Sequence, residues 1–490
     1  MLDRDRFRFL NVERLCAGRN DWTDVGIAKL WRYNLHYFDD LNAFAAERRV
    51  AWHEALLARW ILENPPASGD GWEPYPTSRR IVNWIKWSLR GHPLDSTCLQ
   101  NLATQARWLS RRLEFHILGN HLFANAKALL FAGLFFEGDE ADSWLARGLE
   151  LIDHEIEEQV LVDGAHFELS PMYHAAIVED LLDLINILRA YGCCEKPSWQ
   201  DKVCAMLRWL KVMTHPDGKL VFFNDAAFSI APALQELDAY AARLGVEGSI
   251  DPKDPVTTMS ASGYVRALTR DAYLICDCAA IGPDYLPGHA HADTLSFELS
   301  LRGRRIFVNS GTSEYGVGPE RQRQRGSAAH NTVVVDGADS SEVWAGFRVA
   351  RRARAKLVTA RLDSESDART IVAWHDGYSR LAGKVSHRRS WNLHRGRLLI
   401  EDYLEGRFTS AIAYYHLHPE IAVAQLSAYE LELSPTSMGA LRVSFESAAE
   451  VKVVKTTWHP EFGLAVPNLC IQARFRSSIL AARVEWDESP

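Results

Sequence analysis

The chain has 490 residues, 47% of them hydrophobic, enough to build two or three domains with full cores. Its 63 acidic and 55 basic residues give a formal net charge of −8, with no long block of one sign, which argues against nucleic acid or an anionic membrane surface as a partner. A locally positive cleft for an anionic substrate is compatible with that balance, because net charge does not set local fields.

The first residues, MLDRDRFRFLNVERL, carry charges where a secretory leader needs an apolar run, and the apolar stretch at 128–136 is far too short for a membrane span. A cytoplasmic protein is therefore expected. Of the 8 cysteines, Cys193 and Cys194, and Cys276 and Cys278, are neighbours badly placed to pair with each other. With no paired CxxC set to hold zinc, all 8 read as reduced thiols.

Up to about residue 245 the apolar residues recur at helical spacing, with Pro and Gly clusters between segments, which predicts an all-α first half of stacked helical hairpins. Two aromatic-rich segments come first, WRYNLHYFDD and GWEPYPTSRRIVNWIKW. Most of their tryptophans belong in a core. Trp72, Tyr75 and Arg79 are the candidates for contact with a sugar. GNHLFANAKAL then places Asn120 and His121 at a helix N-terminus, where Asn120 also reads as a plain cap. In DGAHFELSPMYH, Ser170 and Pro171 mark a helix start, which puts Tyr173 and His174 in its first turn.

GVEGSIDPKDPVTTMSASG, at 245–263, is the break. Beyond it the period becomes two, in AYLICDCAA, TLSFELSL, RRIFVN, NTVVVDG, RTIVAWHD, RLLIEDYL, IAYYHLH, LRVSFES and LCIQARF, the pattern of an antiparallel β-sandwich. Residues 1–250 are thus assigned to an all-α domain and 251–490 to a β-sandwich, with any joint site expected in the cleft between them.

Two stretches of the β-half carry chemistry. PGHAHADTLSFELSL presents His289, His291 and Asp293 on alternate positions, hence on one face of an extended segment, suited to a metal, an acid–base pair or a polar strand end. RQRQRGSAAHNTVVVDG brings Arg321, Arg323 and Arg325 ahead of His330 and Asn331. Such arginines either clamp a carboxylate or sulfate bidentately or form a solvated basic loop. HAHAD also fits the HxHxD start of the metallo-β-lactamase-type hydrolases. That motif expects a further His where Thr294 stands, and mixed α/β layers rather than a long helical half.

Taken in order, LWRYNLHYFDDL, GWEPYPTSRRIVNWIKW, GNHLFANAKAL, DGAHFELSPMYH, GHAHADTLSFEL and HNTVVVDGADSSEVWAGFRVARRAR resemble the heparinase II/III-like polysaccharide lyases over nearly the whole chain. The resemblance implies an incomplete (α/α) toroid followed by an antiparallel β-sandwich, and cleavage of a uronic-acid-containing glycan by β-elimination. It implies that Asn120 and His121 neutralise the uronate carboxylate, that Tyr173 serves as acid or as both base and acid, and that His289 is the catalytic histidine. Trp72, Tyr75, Arg79, Arg321 and Arg325 are then the candidate substrate-binding residues.

Some relatives hold a structural zinc, and the matching positions here are His291, Asn309 and His330. Asn309 replaces an aspartate, and a neutral amide is a poor zinc donor, so no cofactor is expected to be required and any zinc is expected to be weak. Asp293 is expected to anchor one of the histidines or to cap a turn. The role in the cell stays open between degrading imported oligosaccharides and making or editing a bacterial surface glycan. A non-catalytic glycan-binding or scaffolding module in a glycan-synthesis pathway is the alternative reading.

Overall fold

The computed structural model describes residues 1–193, 196–246, 253–436 and 438–488. They form two compact units, one of Met1–Gln159 with Asp180–Trp199 and one of Val160–Glu179 with Gln200–Pro490.

The first unit is built from the helices Lys29–Tyr37, Val50–Glu63, Pro74–Leu89, Ser96–Ser110, Gly119–Phe135 and Asp139–Gln159. Local chemistry sets their starts. Pro74 opens its helix at a position that needs no backbone donor. The Asp95 carboxylate caps the next helix by accepting the Cys98 amide. Gly119–Phe135 is apolar on nearly every side and buried from Leu122 to Gly133, as a central core helix must be. Glycine lets its neighbour approach: a Cβ on Gly133 would lie 2.4 Å from the Leu145 nitrogen. A cluster of packed rings, Phe38, Trp60, Trp72 and Trp84, fills the interior, with Trp108 against its margin. The all-α expectation misses a short hairpin at the N-terminus, where Arg6–Phe9 pairs antiparallel with Val12–Leu15.

The second unit carries three larger antiparallel sheets. Five strands run in order from Val256–Met259 to Arg304–Phe307. A four-stranded sheet and an eight-stranded sheet follow, the latter edged by Ala355–Asp363 and Ile421–Ser427. Alternation drives the packing. In Arg397–Glu405 every second residue is buried, and Leu398, Ile400 and Leu404 join Leu299, Trp391 and Ile471 from the other strands in one apolar core.

The change of period falls between the Leu234–Arg243 helix and the Val256–Met259 strand, and the boundary at 250/251 lies outside the described residues. Residues 160–179 and 200–246 group with the strands rather than with the earlier helices. The reason is a shared core, in which Leu169, Trp209, Met213 and Phe223 pack with Met259, Tyr264 and Ile275.

Within the eight-stranded sheet sits a fully buried charge network. Arg389 donates to Asp402 at 2.7 and 2.9 Å and to the carbonyls of Leu295 and Asn331, while His387 Nε2 lies 2.6 Å from Asp402. Asp402→Asn leaves the Arg389 cation buried without its counter-charge, and is expected to cost about 3–5 kcal/mol, read as a lowered urea midpoint.

Candidate active site

The second unit's site is organised by the FFNDAA segment at 222–227. Asn224 sits at φ 56°, in the left-handed region that Asn tolerates better than most residues. From there its amide donates to the Leu169 carbonyl at 2.9 Å and accepts the His291 backbone N–H at 3.0 Å. The Asp293 carboxylate accepts the Asn224 N–H at 2.8 Å, so Asp293 acts on the histidine segment through Asn224.

Asp225 is fully buried. Its carboxylate accepts from His289 Nδ1 at 2.9 Å, from His291 Nε2 at 2.8 Å and from the Thr312 hydroxyl at 3.3 Å, and both terminal nitrogens of Arg321 donate to it. Burial alone would raise its pKa. The Arg321 charge and the hydrogen bonds from both histidines outweigh burial and hold the carboxyl well below its ordinary range. A carboxylate on Nδ1 fixes the orientation of the His289 ring and puts a proton on that nitrogen.

The Tyr173 ring lies against His289, with centroids 3.9 Å apart and planes 30° from parallel. Tyr173 opens the Pro171–Ala190 helix, where its backbone N–H donates to the Ser170 hydroxyl as the sequence predicts for a Ser-Pro start. Its hydroxyl lies 2.9 Å from that of Tyr315, whose own hydroxyl is pushed well above its ordinary pKa by desolvation. On the far side of the imidazole, His289 Nε2 is 3.3 Å from Glu168 Oε2. Tyrosine, imidazole and two carboxylates thus meet around His289, which keeps 14% of its side-chain surface exposed. This group can hold and pass protons.

Sequence reasoning missed Asp225, Glu168 and Tyr315. An acidic residue inside the apolar run FFNDAAF was the available signal for Asp225, since a carboxylate there must be paired when buried. Glu168 lies inside the DGAHFELSPMYH motif.

Several expected substrate ligands turn out to be internal. Arg321 does clamp a carboxylate bidentately, but it is that of Asp225. Arg325 is spent on carbonyls, those of Ala290, Trp344, Ala345 and Arg348. Trp72 is 2% exposed and packs in the first unit's aromatic core, where its indole N–H donates to the Asn64 carbonyl. None of the three has a free face for a sugar.

The remaining candidates belong to the first unit. Asn120 and His121 stand half-exposed in the first turn of a 17-residue helix, where the backbone dipole favours anions. His121 stacks on Tyr75 at 4.4 Å, and its Nδ1 lies 3.0 Å from Glu114, a carboxylate held in turn by Asn125. Arg79 reaches Asp39 at 3.1 Å and remains partly exposed.

The three positions matched to zinc are all buried. His291 Nδ1 and His330 Nε2 lie 3.2 Å apart, close enough for one nitrogen to donate to the other. The Asn309 amide donates to the Phe222 carbonyl at 2.9 Å and accepts the Asn331 N–H at 3.0 Å, so both of its ends are in use. Burial lowers the pKa of His291 to about 4 and of His330 to about 3, which keeps both neutral at pH 7. Among the described residues, no group of three or more His, Cys, Asp or Glu side chains is placed to hold a metal ion.

Comparison with known proteins gives the chain's family. Two family models match, "Heparinase II/III-like, C-terminal" over residues 251–487 and "Heparinase II/III N-terminus" over residues 92–242. The chain belongs to the heparinase II/III-like family. A heparin-sulfate lyase of Bacteroides stercoris is 24% identical over 327 residues, 62% of this chain and 46% of that protein. The chain spans about half the length of the heparin-sulfate lyases it matches. FtsZ-localized protein C of Caulobacter vibrioides is 25% identical over 510 residues, covering 96% of this chain and 84% of that protein. Among solved structures, a crystal structure of heparinase III superposes with a TM-score of 0.79 at 17% identity, over 96% of this chain and 79% of the other. The helical N-terminal part followed by an antiparallel β region is the fold they share. Among the described residues, no helix is long and apolar enough to cross a membrane.

The contacts of Asn309 generate an expectation about metal. Protein dialysed against a chelator should retain well under one zinc per chain by elemental analysis, with its melting temperature unchanged. Stoichiometric zinc that survives dialysis would contradict the inward-turned Asn309 amide.

Proposed function

We propose that this protein is a polysaccharide lyase that cleaves a uronic-acid-containing, glycosaminoglycan-like chain by β-elimination. The observation that carries the reading is the Tyr173–His289 pair, packed ring to ring at 3.9 Å with the histidine anchored on Asp225. Elimination removes the C5 proton beside a uronate carboxylate and expels the oxygen at C4. It needs one group to take a proton, one to give a proton, and neutralisation of the carboxylate while negative charge develops.

Tyr173 and His289 divide the proton transfers in this reading. With Nδ1 tied to Asp225, Nε2 is the nitrogen left to exchange a proton, and the Glu168 carboxylate beside it can share that proton. The Tyr173 hydroxyl, paired with Tyr315, supplies the proton to the departing C4 oxygen. Asn120, with His121, is assigned to the uronate carboxylate. The family resemblance supports that assignment, as does the helix N-terminus that presents the pair. The same chemistry suits either breakdown of imported oligosaccharides or editing of a surface glycan.

The competing reading is a glycan-binding module without catalysis. It draws on the nearly full-length match to FtsZ-localized protein C, whose name describes a location and not a reaction. The presence of Tyr173, His289, Asn120 and His121 favours the enzyme.

Incubation with a panel of uronate glycans should release products with a 4,5-unsaturated uronate that absorbs in the ultraviolet. Tyr173→Phe keeps the ring and removes only the hydroxyl, and should lower kcat by about 10²–10⁴. His289→Ala should be comparably damaging. The double variant should be little worse than either, because the two groups serve one step. Asn120→Ala should slow the reaction and raise KM. Glycan binding without any absorbing product would favour the module, and a hydrated product would indicate hydrolysis.

A further inference from the structure

Beside the Tyr173–His289 pair, the second unit presents a short hairpin that the proposed mechanism does not use. Val343–Trp344 pairs with Arg348–Val349, Trp344 opposite Arg348 and Val343 opposite Val349. Alternation therefore puts the Trp344 and Arg348 side chains on one face as cross-strand neighbours. Both are exposed, Trp344 to 54%, while Val343 and Val349 turn inward against Ile281, Ala290 and Ala292. In the turn, Phe347 is 41% exposed, and its ring lies 6.0 Å from that of His289 and 5.2 Å from that of Tyr315. The hairpin thus offers solvent a broad indole face beside an unburied guanidinium.

The hairpin is also held rigidly from beneath. Arg325 donates to the carbonyls of Trp344, Ala345 and Arg348, Gln322 to that of Val343 at 2.7 Å, and Arg321 Nε to that of Gly346 at 3.0 Å. A Cβ on Gly346 would lie 2.4 Å from the Gly316 carbonyl oxygen, so the turn is packed flat on the loop below. Arg321 is the same residue that grips Asp225, so a single guanidinium ties the hairpin to the anchor of the catalytic histidine. An exposed pair of recognition side chains on a backbone fixed in this way is pre-organised for binding.

We propose that the 343–349 hairpin is a sugar subsite for the anionic pyranose next in the chain to the residue held at Tyr173 and His289. This rests on the lyase reading and adds to it the residues that recognise the neighbouring sugar. Trp344 gives an apolar ring face for a pyranose, Arg348 pairs with that sugar's carboxylate or sulfate, and Phe347 fills the space between subsite and imidazole.

The test uses the full chain carrying Tyr173→Phe, so that bound glycan is not consumed. Its affinity for a heparin-derived hexasaccharide, and for the same hexasaccharide stripped of sulfate, is measured by titration calorimetry with and without Trp344→Ala or Arg348→Gln. Each added substitution should weaken binding about tenfold, the scale of losing one anchoring aromatic or arginine contact. The Arg348→Gln loss should shrink as salt is raised. In the catalytically intact background both losses should appear in KM. Equal losses on both glycans assign Arg348 to a carboxylate, and a loss confined to the sulfated glycan assigns it to sulfate; either result supports the subsite. Both residues are exposed, so unchanged melting temperatures verify folding. Tight binding that neither substitution weakens would overturn the subsite and leave the lyase reading standing. No binding by the parent protein, together with no unsaturated product from the unmodified chain, would overturn both.

Discussion

The second unit depends on one buried carboxylate. Asp225 has no access to water, and a charge in that position persists only if the fold supplies partners for it. Arg321 supplies the counter-charge, and His289, His291 and Thr312 supply the remaining donors. The other features of the site follow from that arrangement. His289 is oriented because its Nδ1 must serve Asp225. Arg321 is turned away from solvent for the same reason, and it carries with it the Pro319–Arg325 helix that supports the neighbouring hairpin.

A second buried acid keeps the Asp225 segment in place. Glu298 accepts the backbone N–H groups of Phe222 and Asn309 with one oxygen and meets His215 and Arg305 with the other. The strand that bears Glu298, the turn that leads to Asp225 and the segment of Asn309 are therefore fixed relative to one another by full charges in a dry interior, where such contacts are strongest. Asn309 belongs to this framework. Its amide joins Phe222 to Asn331 as a structural bridge.

The relatives place limits on what the fold says about the reaction. Heparinase III shares the architecture at 17% identity, and a protein named for its place with FtsZ matches almost end to end. One scaffold hosting different roles is common, so the activity has to be argued from side chains in contact, here Tyr173, His289, Glu168 and Asp225.

Much of this was legible in the sequence, because helix and strand periods are local properties of the chain. The switch from one to the other near residue 245 and the Ser-Pro start that carries Tyr173 follow from spacing alone. The ordered motifs identified the family for the same reason. The extended segment expected at His289, His291 and Asp293 is instead a turn, closed by Ala290 N–H on the Pro287 carbonyl, and the two histidines meet because both bond Asp225. What spacing could not reveal was which residue pairs with which across long stretches of chain. The helical segment at 200–212 packs with strands because its apolar residues complete their core, and Trp72 is buried because neighbouring helices surround it. The arginines make the point most directly. A guanidinium fork fits a sugar carboxylate and an aspartate equally well, and only the folded chain brings Asp225 to Arg321 from 96 positions away.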